Sequence, residues 1–224
     1  MGSATPNSAG FKILAATDDD FFALAQVEAL ANDTATQTPI EANISRLMFG
    51  LPNEENHKFR SKGMIERRRE DKSMKDYKVV VEEDGKEKIV AWASWNFYTD
   101  EQVIKDWTNI TWPETAKGDA CNDIIGRMTT LRQKHMSGKN HAFLQVLATL
   151  EEYRGQGIGS DLLRQGIADA QELGLHDFWL MASADGRPLY AKFGFQDVEP
   201  LTLDLEQYGG SGDPNVMAMR RFPN

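Results

Sequence analysis

Three observations in the 224-residue sequence predict a mixed α/β (α+β) fold. An almost unbroken apolar run, "HAFLQVLATL" at 141–150, precedes an amphipathic helical pattern and a second apolar run, "HDFWLMAS" at 176–183. Strand–helix–strand at that spacing implies a parallel crossover. Residues 77–98, "YKVVVEEDGKEKIVAWASWNFY", form two β-rich runs around Asp84-Gly85, a dipeptide suited to the positive φ of a tight hairpin. Elsewhere apolar residues recur at helical spacing.

In chain order, "MGSATPNSAG" reads as a flexible tail over 1–10, and the rest, 11–224, as one domain. "FKILAAT" (11–17) is a first strand. Asp18 or Asp19 can cap the next helix, whose Phe22, Leu24, Ala25, Val27, Leu30 and Ala31 face inward. A second helical pattern runs from Pro39 to Gly50. Residues 53–76 are highly charged, and the cluster Arg67–Arg69 lies between acids, as on a solvated helix. After the hairpin, residues 99–140 hold Trp107, Trp112 and Pro113 and then the amphipathic "NDIIGRMTTLRQKHM". The run 141–150 has the composition of a strand buried on both faces. A helix follows from Ile158 to Leu173. Its stripe is Ile158, Leu162, Leu163, Ile167, Ala170 and Leu173, with Gly166 small enough for close packing and Gly174 as the stop. A short helix over Pro188–Phe193 ends at Gly194, and two final strands flank "YGGSGDPN".

Composition narrows the function classes. A net charge of -9 argues against nucleic acid or an anionic membrane as the main partner. One cysteine, Cys121, excludes an internal disulfide or thiolate zinc site, and the four histidines show no paired spacing, so no metal is expected. No apolar run approaches the roughly 20 residues of a membrane helix, and no signal peptide is evident; a cytoplasmic location is the expectation.

The chemistry points to "LEEYRGQGIGSDLL" at 150–163. Three alternating glycines, 155, 157 and 159, open a helix, where unpaired N–H groups and the helix dipole favour an anion. Residues 154–160 bring several such amides together, and the ligand they suit is a phosphate or pyrophosphate. A P-loop would need Lys-Ser/Thr after its last glycine, whereas Ser160 and Asp161 follow Gly159. A dinucleotide fingerprint would put its third glycine where Ser160 stands. Both nucleotide motifs fail on these residues.

"YRGQGIGSDLL" resembles the R/Q-x-x-G-x-G/A signature of the GNAT superfamily of N-acetyltransferases, with Arg154, Gly157 and Gly159 in its defining positions. "LYAKFGF" (189–195) is similar to that family's second element. "AS-x-x-G-x-x-LY", Ala182 to Tyr190, resembles a branch common among fungal members. The resemblance implies a central mixed twisted sheet of about six or seven strands, with helices on both faces and a splayed pair of parallel strands. It implies acetyl-CoA as cosubstrate. The pyrophosphate would lie on the amides of Arg154, Gly155, Gln156, Gly157, Ile158, Gly159 and Ser160. The pantetheine arm would pair with backbone around Leu147, Ala148 and Thr149, with Ser183 and Lys192 nearby. Tyr190 would be the general acid toward the leaving thiolate, and a neutral amine would attack the thioester directly in a ternary complex. His141 is a candidate base by its ordinary pKa of about 6.5, with Glu151, Asp100 or a water chain as alternatives. Cys121, without a histidine partner at recognisable spacing, reads as an incidental thiol.

The acceptor is less constrained. Trp92, Trp95, Phe97 and Tyr98, with Trp107 and Trp112, could form aromatic walls for a small hydrophobic amine, or be core for the most part, as Trp92 reads. A small-molecule primary amine is thus the expected substrate; a protein or peptide N-acetyltransferase and a non-catalytic acyl-CoA sensor are the alternatives. The last two strands and the 99–140 insertion each offer a surface for a homodimer.

Overall fold

The structure, a computed structural model, describes residues 10–34, 38–99 and 110–223, so nearly all of the expected tail, Asp100 and Trp107 lie outside the described residues. Seven strands, β1 (Phe11–Ala15), β2 (Met74–Glu83), β3 (Lys86–Tyr98), β4 (His141–Thr149), β5 (Phe178–Ala182), β6 (Gln196–Pro200) and β7 (Met217–Arg221), form one sheet. Their order is β1-β2-β3-β4-β5-β7-β6. Only β4 and β5 run parallel; every other neighbouring pair is antiparallel. Around the sheet pack α1 (Phe21–Asp33), α2 (Ile44–Phe49), α3 (Glu54–Glu70), α4 (Gly118–Met136), α5 (Ile158–Glu172) and α6 (Arg187–Lys192).

Asp84 and Gly85 close the β2–β3 hairpin at φ 51° and 72°, the two positive values that a type I′ turn requires. Strand β3 carries the centre of the core. Trp92 meets the Phe21 ring of α1 edge-on at 6.3 Å, and Trp95 lies against Gly166 of α5. A Cβ on Gly166 would overlap the Trp95 indole, so glycine sets how closely α5 approaches the sheet. Each buried tryptophan removes about 200 Å² from water, worth up to about 5 kcal/mol of hydrophobic stabilisation.

Several local expectations are corrected. Thr17, rather than Asp18 or Asp19, starts the first helical segment: it forms a capping box with Asp20 on a 3₁₀ turn that leads into α1. Phe21 takes the fully buried place, while Phe22 is half-buried and Leu30 faces solvent. The pattern over 39–50 splits into a 3₁₀ turn, Ile40–Ala42, and the short α2, because the Asn43 side chain caps a new start at the Arg46 amide. The charged helix α3 is docked rather than merely solvated: Arg68 and Arg69 both reach Asp18. Leu173 is exposed, and Leu175, past the positive-φ Gly174, is buried in its stead.

Strand β4 is not covered evenly on both faces. Ala142, Leu144, Val146 and Ala148 are buried, whereas Phe143, Gln145, Leu147 and Thr149 are only half-buried. Its pairing with β5 is brief, at Ala142↔Phe178, Phe143↔Trp179 and Leu144↔Leu180. Beyond Leu144 the two parallel strands diverge, while β4 stays paired with β3 as far as Thr149. The expected splayed pair is therefore present, and it opens toward the glycine loop.

Candidate active site

A cavity of about 870 Å³ occupies the splay and continues between α1, α2 and α3. At one end lies the loop from β4 to α5. After the 3₁₀ turn Glu151–Tyr153, Gly155 and Gly157 adopt φ 74° and 87°, values costly for any residue with a Cβ. A Cβ on either glycine would point into open space, so backbone rather than side chain faces outward there. Gly159 serves a different purpose: its φ is ordinary, and a Cβ would come within 3.2 Å of Leu189 Cδ2 on α6. Two glycines thus shape the loop, and the third lets the start of α5 sit against α6.

The amides of Gly155 to Ser160 have no hydrogen-bond acceptor among the described residues; the Arg154 amide is already bound to the Glu151 carbonyl. Six consecutive free donors opening a 15-residue helix fit a pyrophosphate, and this backbone would hold that part of acetyl-CoA. The Arg154 guanidinium points elsewhere. It donates to Thr149 O, Ala31 O, Thr34 O and Thr34 Oγ1 at 2.8–3.2 Å, and so ties the loop to the last turn of α1. Leu147, Ala148, Thr149, Gly155, Gly157, Gly159, Ser160, Ser183, Tyr190 and Lys192 all line the cavity. Ile158 contributes only backbone, since its side chain is core. Gln156 does not line the cavity; its side chain bonds to the Glu152 carbonyl.

Tyr190 is buried on α6, packed against Phe195, and a Cβ on Gly186 would lie 2.8 Å from its ring. Burial raises the phenol's pKa above its ordinary value, and the group carries its proton at neutral pH as an unburied tyrosine also does. Ser183 accepts the Gly186 amide at 3.2 Å.

His141 is not brought to the site. It stands at the far end of β4, 2% exposed and outside the cavity lining. Its Nδ1 bonds to the Lys139 carbonyl, and burial pushes its pKa down to about 4. A strand of nine residues separates its start from its end by about 26 Å, so His141 belongs to the frame. Cys121 is equally remote from chemistry: fully buried, it has a thiol pKa pushed up to about 12. Glu151 does line the cavity.

The expected aromatic walls are absent among the described residues. Trp92, Trp95 and Phe97 are core, and Trp112 packs on Phe49 and Phe59 with its Nε1 bonded to Asn122. The end between α1, α2 and α3 is lined by Glu28, Asp33, Arg46, Asn56, His57 and Arg60, which the sequence does not mark, together with the apolar Ile44, Met48, Phe49, Leu51 and Pro52. Among the described residues no cluster of His, Cys, Asp and Glu could hold a metal ion, and no helix is long and apolar enough to cross a membrane.

The sequence matches the model of the Acetyltransferase (GNAT) family over residues 46–195, more than half of the chain. The chain belongs to this family and is a GNAT acetyltransferase, a class that transfers acetyl groups from acetyl-CoA. No match arises among curated protein sequences. Solved structures share the fold at low identity. One, described as histone acetyltransferase HPA2 and related acetyltransferase from Corynebacterium glutamicum, is 21% identical with a TM-score of 0.56, covering 95% of this chain and 96% of its own. The PaiA N-acetyltransferase of Thermoplasma acidophilum, in complex with coenzyme A, is 14% identical with a TM-score of 0.54, covering 94% and 98%. An N-acetyltransferase from Staphylococcus aureus is 15% identical with a TM-score of 0.52, covering 94% and 95%.

Proposed function

We propose that the protein acetylates a primary amine of a small molecule by direct attack within a ternary complex. The observation that carries this reading is a single cavity running from the amide loop, past the splayed strands, to a pocket walled by α1, α2 and α3. Its size falls in the range of sites that enclose small ligands. Acetyl-CoA supplies the activated thioester when bound. The amides of Gly155–Ser160 hold the pyrophosphate, and the unpaired edge of β4 over 145–149 orients the arm as an added strand would. A backbone N–H near Leu147–Thr149 polarises the carbonyl under attack. Tyr190, protonated at neutral pH, gives its proton to the departing thiolate. The attacking nitrogen loses its proton toward Glu151 or solvent, both at the cavity.

Thiol release from acetyl-CoA, followed across a panel of small amines and short peptides, tests this. Turnover is expected with a subset of small amines. Turnover confined to peptides would move the acceptor to the protein class. Tight binding of acetyl-CoA with no release across the whole panel would make the protein a sensor.

A further inference from the structure

We infer that the acceptor is an amine carrying its own carboxylate, an amino-acid-like molecule whose carboxylate is bound by Arg60, with Arg46 a second arginine on the same cavity wall. The inference rests on the acetyl-transfer reading of the same cavity. Arg46 comes from α2 and Arg60 from α3, and both line the cavity. Each is held by a carboxylate of α1 through a single nitrogen. Arg60 Nη2 lies 2.5 and 2.6 Å from the two oxygens of Glu28, and Arg46 Nε lies 2.5 Å from Asp33 Oδ1. The remaining guanidinium nitrogens of both have no hydrogen-bond partner among the described residues. Both forks are therefore fixed in direction yet keep most of their donors for a ligand, the geometry that suits a carboxylate.

A purely structural role accounts for this poorly. Half-buried ion pairs add little net stability, because desolvation offsets much of the attraction. Of the other polar groups at this end, Asn56 and Arg154 are already bonded, whereas the buried Nε2 of His57 has no hydrogen-bond partner among the described residues and is open to the ligand beside the arginines. Asn56 is spent at both side-chain atoms, donating to Phe49 O and accepting from Thr115 Oγ1, each at 2.8 Å. Burial lowers the pKa of His57, which is neutral at pH 7. Arg154 is consumed by the carbonyls of α1 and β4. Glu28 and Asp33 neutralise the two arginines in the free protein, so an incoming carboxylate joins an existing network and meets no bare, unsolvated cation. The wall also discriminates by pre-ordering, since the guanidiniums lose little freedom when the ligand arrives.

The test pairs each amino acid with its carboxamide, for example β-alanine with β-alaninamide and 4-aminobutyrate with its amide, alongside the α-amino acids. Binding to the full chain with coenzyme A is measured by calorimetry, and thiol release separately. The best acid is expected to bind about 10-fold or more tightly than its amide. In Arg60→Gln that ratio should fall to within about threefold. Glu28→Gln, which leaves Arg60 in place and removes its counter-charge, should keep or raise the preference and stands in if Arg60→Gln does not fold. Amides binding as well as acids to the native protein overturn the inference, as does an Arg60→Gln variant that weakens acid and amide equally. Preferred binding of the acids with no thiol release overturns acetyl transfer and leaves the carboxylate site standing.

Discussion

The two ends of the cavity are built in opposite ways. The donor end comes largely from one continuous stretch, 144–160, in which a strand, a turn and a helix start lie side by side because they are neighbours in the chain. The opposite end takes side chains from each of three helices and ties its arginines by pairs distant in sequence, Arg60 to Glu28 across 32 positions and Arg46 to Asp33 across 13. On the proposed reading the donor end recognises through backbone, with glycines clearing the way, and the acceptor end through charged side chains held by other side chains. An end made of backbone tolerates change only where φ and space permit. An end made of side chains can be re-specified one residue at a time.

The sharpest expected break is at the reacting centre. Tyr190→Phe should lower kcat by about 100-fold and leave the acetyl-CoA Kd within about twofold; unchanged turnover in a steady-state assay removes the phenol from the mechanism. Gly157→Val forces a β-branched residue to φ 87° and places its branches where the loop amides face a ligand. Acetyl-CoA affinity should fall by about 50-fold, read by calorimetry, while acceptor binding to the same variant changes little. Comparable loss at both ends would erase the distinction between them.

Arg154 is where the distinction is expected to fail, because its guanidinium joins the donor loop to the C-terminus of α1. Arg154→Met should cost about 2 kcal/mol in denaturant unfolding and raise the KM for both substrates by about 10-fold. A change in the donor KM alone would show that α1 is positioned without it.

The smallest effect on activity is predicted at His141. His141→Gln should leave kcat/KM within about threefold but flatten the acid limb of the stability curve. The unfolded imidazole takes up a proton near pH 6.5 and the folded one only near 4, so between those values the unfolded chain holds more protons. Stability therefore falls as pH drops through that window, by about 3 kcal/mol in the native protein. Equal acid sensitivity in the variant would assign the loss to other groups.

The same contrast explains what was legible in the sequence. Apolar runs, the Asp84-Gly85 turn and the glycine loop report on their own neighbourhoods, so the strands, the hairpin and the parallel crossover could be read locally. Even there, a single sequence did not separate Gly155 and Gly157, needed for their φ, from Gly159, needed for packing on Leu189. The aromatic residues of β3 left two readings open because alternation marks a strand and says nothing of which layer covers it; Trp92, as expected, and Trp95 are core, taken up by α1 and α5. Arg60, Glu28 and His57 lie in stretches whose charges look like solvated helix surface. Only tertiary pairing gives them a site.

The divergence of β4 from β5 past Leu144 gives the protein an open edge in the interior of its sheet. Interior edges are normally closed by another strand, and on the proposed reading the arm of acetyl-CoA takes that place. That ligand then acts as a removable piece of the fold, and by mass action a concentration 100 times its Kd adds about 2.7 kcal/mol to the unfolding free energy. The melting temperature and resistance to proteolysis become readouts of how much acyl donor surrounds the protein.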